Sequence, residues 1–164
     1  MTFKLWSFGL VAGLALWAAA VPAQEARIAF GELTQDTTLP VEVSADLFTV
    51  NNADGSAVFS GNVVVTQGEM KLAAAEVQVK YATDRSAIQE LVASGGVTIT
   101  NLGDAAEADA AVYTIDSGVI VMSGNVLLAQ GPSAMAGQKL TINLRDGTGT
   151  MSGRVTTTFV PGGN

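Results

Sequence analysis

Catalysis needs a nucleophile or a proton carrier, and this chain offers few usable combinations. Its 164 residues include no His and no Cys. The usual general base, the thiol nucleophile and the commonest transition-metal ligands are therefore missing. A Ser nucleophile would need a Lys partner, and Lys71, Lys80 and Lys139 all fall in polar stretches with strand character. A carboxylate pair could serve a glycosidase, with Glu107, Asp109 and Glu76 as the formal candidates. Each of these acids stands singly on a face expected to meet solvent. No acidic calcium loop is present, and no Gly-rich phosphate loop leads from a strand into a helix. These absences point to a binding or structural protein rather than an enzyme, with no metal or cofactor expected.

The elements that must position any binding surface are announced by a repeat. The phrase occurs as Ser60-Gly61-Asn62, Ser94-Gly95-Gly96, Ser123-Gly124-Asn125 and Ser152-Gly153-Arg154, with starts 34, 29 and 29 residues apart. A period near 30 residues marks a repeated architecture. Around each copy the apolar residues alternate with polar ones. Phe59, Val63 and Val65 share a parity in the first copy; Leu91, Ala93, Val97 and Ile99 do so in the second. Ile120, Met122, Val126 and Leu128 follow in the third, and Met151, Val155 and Phe159 in the fourth. Alternation of this kind gives a strand one apolar face. The Gly always falls on that face, where it predicts a bend, so each strand is expected to crease as it crosses a folded sheet.

Return strands lie between the copies. Val77 and Val79 alternate with charged or amide neighbours, Tyr113 lies between Ala111 and Ile115, and Leu140 and Ile142 alternate with Lys139, Thr141 and Asn143. Asn51 to Gly55 reads as a hairpin turn from the segment 41–50 into the first Ser-Gly strand. The Ala-rich stretch 104–111 sits where a strand is due. The expectation is an all-β, antiparallel protein of about 12–16 short strands.

Before this domain, Lys4 and a 16-residue apolar run from Leu5 to Ala20 lead to Val21-Pro22-Ala23, the pattern of a secretory signal peptide over residues 1–23. The run is short for a membrane span. Residues 24–39 read as a flexible lead, although Arg27 to Phe30 could pair as a short strand. The domain itself runs from 40 to 161, and 162–164 form a loose tail. Removing residues 1–23 takes away Lys4 and both Trp residues, leaving 7 basic and 15 acidic side chains, a net charge of −8. That balance argues against nucleic acid, whose affinity rests on neutralising phosphates.

The stretch Val58-Phe59-Ser60-Gly61-Asn62-Val63-Val64-Val65-Thr66-Gln67-Gly68 resembles the hallmark of the OstA-like β-jellyroll family, the LptA-type bridge proteins of lipopolysaccharide export. The run from Val121 through Gln130-Gly131 resembles the family's later repeat, Pro40 to Asp46 its first strand, and Arg154 to Pro161 its last. The resemblance implies a twisted, V-shaped jellyroll open on one side. It also implies a periplasmic location and a groove that carries the acyl chains of lipopolysaccharide from an inner-membrane export partner to the outer-membrane translocon. The groove would be lined by Val41, Val43, Phe59, Val63, Val65, Val77, Val79, Val97, Ile99, Tyr113, Ile120, Met122, Val126, Leu128, Leu140 and Ile142. Val41 and Val43 would stand nearest its mouth. Head-to-tail self-association is implied as well, through terminal strand edges at Pro40, Val41 and Val43 on one side and Val155, Thr157 and Phe159 on the other. The acidic balance departs from relatives with a basic tail, since it opposes capture of an anionic head group. Two alternatives stand beside this reading: a membrane-anchored jellyroll partner of the same system, and a structural β-repeat scaffold that binds no lipid.

Overall fold

A computed structural model describes residues 36–51, 55–82 and 87–159 and the backbone of 26–29; the expected signal peptide and tail lie outside them. The strands are β1 (Ala26–Ala29), β2 (Glu42–Ser44), β3 (Leu47–Asn51), β4 (Ser56–Gln67), β5 (Met70–Tyr81), β6 (Ile88–Asn101), β7 (Asp104–Thr114), β8 (Val119–Gln130), β9 (Ser133–Asn143), β10 (Thr148–Ser152) and β11 (Thr156–Thr158). All pairings are antiparallel, in the order β1-β10-β9-β8-β7-β6-β5-β4-β2, with β3 also on β4 and β11 also on β9. Six strands, β4 to β9, are 11 to 14 residues long and creased in the middle. Counted leg by leg, as a pattern of short strands would count them, those six supply twelve.

The crease is where the Ser-Gly phrases lie. Registers slip between Ser60 and Val63, Ala73 and Glu76, Ser94 and Val97, Glu107 and Ala110, and Ser123 and Val126. In every case two residues of the Ser-Gly strand oppose one residue of its neighbour, a bulge that bends and twists the ladder. Gly61 and Asn62 take φ of 78° and 46°, and Gly124 and Asn125 repeat this at 79° and 47°. Left-handed backbone is open to Gly and tolerated by Asn. The opposing single residue then fills the space that a side chain at the Gly would need. A Cβ at Gly61 would stand 2.7 Å from Asp46 Oδ2, and one at Gly124 would collide with the Asp109 carboxylate. The same carboxylates accept hydrogen bonds from Asn62 Nδ2 at 2.8 Å and Asn125 Nδ2 at 2.9 Å. Gly95-Gly96 and Gly153-Arg154 adopt the same conformation, with Ala75 and Gln138 opposite.

The crease divides the sheet into two leaves. The first holds β1, β3 and β10 with the legs 56–60, 76–81, 88–94, 110–114, 119–123 and 139–143. The second holds β2 and β11 with the legs 63–67, 70–74, 97–101, 104–108, 126–130 and 133–137. Their inner faces share one apolar core, from Ala57 and Val63 at one end to Leu140 and Met151 at the other. Two expectations change. Within the expected lead, Ala26–Ala29 pairs as a strand, which is the short-strand alternative. The last strand is short, Thr156–Thr158 alone, because Gly153 and Arg154 interrupt it with φ of 85° and 50°.

Candidate functional site

Thirteen of the sixteen expected groove residues lie in the interior. Val63, Val65, Val97, Ile99, Val126 and Leu128 come from the second leaf, and Val77, Val79, Tyr113, Ile120, Met122, Leu140 and Ile142 from the first; none exceeds 3% exposure. Along the middle of the jellyroll these side chains pack against one another. The remaining three, Val41, Val43 and Phe59, are half-buried at the β2–β3 end.

That end is where the apolar lining meets solvent. Phe48 pairs with Phe59 and Val50 with Ala57, so both sit on the inner face, yet each is 53% exposed. The Phe48 and Phe59 rings lie 4.7 Å apart, tilted by 39°. The sequence pattern does not single out Phe48 and Val50, because the segment 41–50 reads as one strand. Asp46 is the single crease residue here, its N–H donating to Gly61 O at 2.9 Å. One inserted residue flips the parity. Val41, Val43 and Ala45 therefore face inward before it, and Phe48 and Val50 after it. Leu47, opposite Ser60, is turned outward at 59% exposure.

The open side of the V, away from the crease, carries polar contacts between the leaves. Tyr113 Oη, in the first leaf, donates to Gln67 Oε1 at 2.7 Å, in the second. Burial of the phenol raises its pKa above the ordinary 10.0, opposed by the nearby Arg145 charge and the Gln67 bond. Gln67, itself 1% exposed, donates through Nε2 to Thr37 O at 3.1 Å and Leu39 O at 2.9 Å. The segment Asp36–Pro40 thus straps the tips of both leaves. Its Asp36 carboxylate accepts from Thr38 N at 2.9 Å, and the Thr37 methyl lies against Gly118, beside Arg145. Thr38's hydrogen bonds hold the Asp36 carboxyl below its ordinary pKa. A hollow of about 280 Å³ lies between the strap and the β4–β5 turn, lined by Leu39, Pro40, Glu42, Thr66 and Gly68. Gln67 stands in the hallmark stretch, and its inward parity with Val63 and Val65 was the available signal.

The edges differ between the two ends. β10 is covered by β1, with Ala26 opposite Met151 and Ala29 opposite Thr148. β11 covers only Ala134 to Ala136 of β9. Among the described residues, no further strand lies beside β2, β3 or β11. Val155 and Thr157 are half-buried, and Phe159 is 72% exposed. Pro40 lies just ahead of β2, exposed on the strap. The formal catalytic candidates do not converge. Glu76 is exposed on β5 and Glu107 and Asp109 on β7, Asp109 is committed to the crease, Lys80 pairs with Glu90 at 2.8 Å, and Lys71 and Lys139 are exposed.

A creased antiparallel sheet with a continuous apolar interior, bared at one end, defines an open β-jellyroll. The profile of the family described as "LptA/(LptD N-terminal domain) LPS transport protein" matches residues 42–148, and the chain belongs to this family. The lipopolysaccharide export system protein LptA of Escherichia coli K12 is 28% identical over 166 residues, covering 94% of this chain and 85% of that one. An uncharacterised protein of Rhizobium meliloti is 25% identical over 147 residues, covering 85% and 78%. Among solved structures, LptH of Pseudomonas aeruginosa, the LptA-homologous periplasmic component of its lipopolysaccharide transport device, superposes with a TM-score of 0.69. It shares 19% identity and covers 77% of this chain and 99% of its own, a likeness of fold.

Proposed function

We propose that this protein binds lipopolysaccharide by its acyl chains within the jellyroll. It would act as a periplasmic segment of the bridge from an inner-membrane export complex to the outer-membrane translocon. The observation that carries this reading is the single apolar lining that runs the length of the interior and emerges at the β2–β3 end through Val43, Phe48, Val50 and Phe59. The physical demand is large. Each CH₂ held in water costs about 0.8 kcal/mol, so one ordinary acyl chain costs roughly 10 kcal/mol. A shell that parts along its open side and closes around the chains meets that demand without any chemical step. Catalysis has no part in it, and family membership supports a transport role.

In this reading the bared end is the entry, and the sixteen expected groove residues from Val41 to Ile142 contact lipid when the leaves part. The exposed edges of β2, β3 and β11 suit strand addition by a second copy or by the jellyrolls of the neighbouring export components. The mature chain begins after the signal segment 1–23 and works in the periplasm. The test is a photoreactive residue at Val43 or Phe48 in cells, together with binding of purified lipopolysaccharide to the mature chain. Saturable binding and a lipid crosslink are expected. A folded protein that gives neither would leave only the structural scaffold.

A further inference from the structure

The inner face of the second leaf does not stay apolar to its tip. The register places Gln67, Met70, Asn101, Asp104, Gln130 and Ser133 side by side across β4 to β9. One step deeper on the same face lie Val65, Leu72, Ile99, Ala106, Leu128 and Met135. Met70, apolar and buried, interrupts this row; elsewhere along it a boundary between apolar and polar surface runs parallel to the open side. The step between the two rows is two residues, about 7 Å along a strand. Gln130 Nε2 donates to Asp104 Oδ2 at 2.9 Å, which fixes the far part of the rim. Gln67 is different: both of its recorded Nε2 contacts are to carbonyl oxygens of the strap.

We infer that this rim, with Gln67 as its principal donor, receives the ester and amide carbonyls at which acyl chains join the sugar head of the lipid, and that the strap carbonyls of Thr37 and Leu39 occupy the site until lipid displaces them. The inference rests on the lipid-carrier reading above and adds the place where the head-proximal linkages bind. The chemistry follows from order along the molecule. An acylated sugar presents hydrocarbon, then linkage carbonyls, then hydroxyls and charge, in the same sequence as the rows met on moving out of the groove. A buried amide stripped of its acceptors is unfavourable, so the strap leaves readily only when replacement carbonyls arrive. Its hold is otherwise light. Asp36, Thr38 and Leu39 are exposed, and within the strap the recorded hydrogen bonds are those of a local Asp36 turn.

The test uses hydrogen exchange at the Thr38 and Leu39 amides of the full mature chain. It is paired with isotope-edited infrared spectra of purified lipopolysaccharide carrying labelled ester carbonyls. Saturating lipid should speed strap exchange about tenfold, the change expected when a bond worth one decade of equilibrium is broken. Gln67→Met should produce a similar acceleration without lipid, with circular dichroism unchanged. The ester band should shift to lower frequency on binding to the wild type and shift less with Gln67→Met. Lipid that crosslinks at Val43 while strap exchange stays unchanged would overturn the inference and leave the carrier reading standing. An ester band identical in wild type and variant would do the same. Absence of any lipid crosslink would overturn both. The wild-type arms decide the matter even where Gln67→Met does not fold.

Discussion

Gly95 and Gly96 are adjacent, share a left-handed backbone with φ of 82° and 85°, and differ in one respect. A Cβ at Gly95 would stand 2.6 Å from the Ala75 Cβ, whereas a Cβ at Gly96 meets nothing within 4 Å. Gly96→Ala therefore incurs the conformational cost alone, about 1–2 kcal/mol for an L residue in this region. Gly95→Ala incurs that cost plus a carbon–carbon overlap that no side-chain rotation relieves, because Ala75 has no rotamers. Overpacking typically adds about 1–3 kcal/mol, so Gly95→Ala should lose roughly 2–5 kcal/mol. Ala75→Gly removes the colliding atom at a strand cost of about 0.5–1 kcal/mol. The double variant Ala75→Gly/Gly95→Ala should then be more stable than the sum of the singles by about 1–3 kcal/mol. Urea denaturation of the mature chain reads all four values, with an unchanged slope showing that compactness is preserved. Equal losses at Gly95 and Gly96, or additivity in the double variant, would refute the account of the crease as a two-against-one bulge closed by its opposing residue.

The bared end and the sealed middle should respond differently to truncation. Phe48→Ala should cost less than about 1 kcal/mol because the ring is half in solvent, while reducing lipid crosslinking; Ile120→Ala, fully buried, should cost about 2–5 kcal/mol in urea melts. Val43→Asp should reduce lipid loading more than it lowers the melting temperature, as a crosslinking assay beside calorimetry would show. Tyr113 supplies a pH signature. Its raised pKa means that the folded state holds the phenolic proton more tightly, so this contribution is intact below pH 10.0 and is lost as pH rises through the folded value. Tyr113→Phe should flatten that alkaline limb in a stability–pH series. Cleavage after residue 23 removes Trp6 and Trp17, so the secreted chain should show tyrosine-type emission only, with its mass confirming the new terminus.

Much of the architecture was legible because the first three Ser-Gly strands insert two residues at the crease and so keep their parity. Val63 continues the face of Phe59, and Val126 that of Met122, across the bend. The intervening strands insert one residue, Ala75, Asp109 or Gln138, and their inner face changes parity there. Leu72 and Ala74 become Val77 and Val79, and Ala106 and Ala108 become Ala111 and Tyr113. A period of two cannot be followed through such a flip, which is why the alternation is readable in only one leg of each return strand and why 104–111 shows a strand by its place rather than by its pattern. Phe48 was hidden for the same reason. Gln67 was hidden by its type. An amide on an apolar parity at a strand end reads as the start of a turn, and it is the burial of Gln67 and its bond from the Tyr113 hydroxyl of the opposite leaf that show it pointing into the interior.

The two ends of the jellyroll place different demands on an assembling partner. At the β2–β3 end the inner face is bared, so a partner docking there covers apolar surface from Phe48 and Val50 as well as completing backbone pairs. At the other end β1 already completes the β10 ladder, leaving β11 with its three residues as the shorter open edge. The segment that makes β1 is continuous in sequence with the strap, since Asp36 follows Ala29 by seven residues. β1 and the strap therefore come from one stretch of chain, the first on the β10 edge and the second against Gln67.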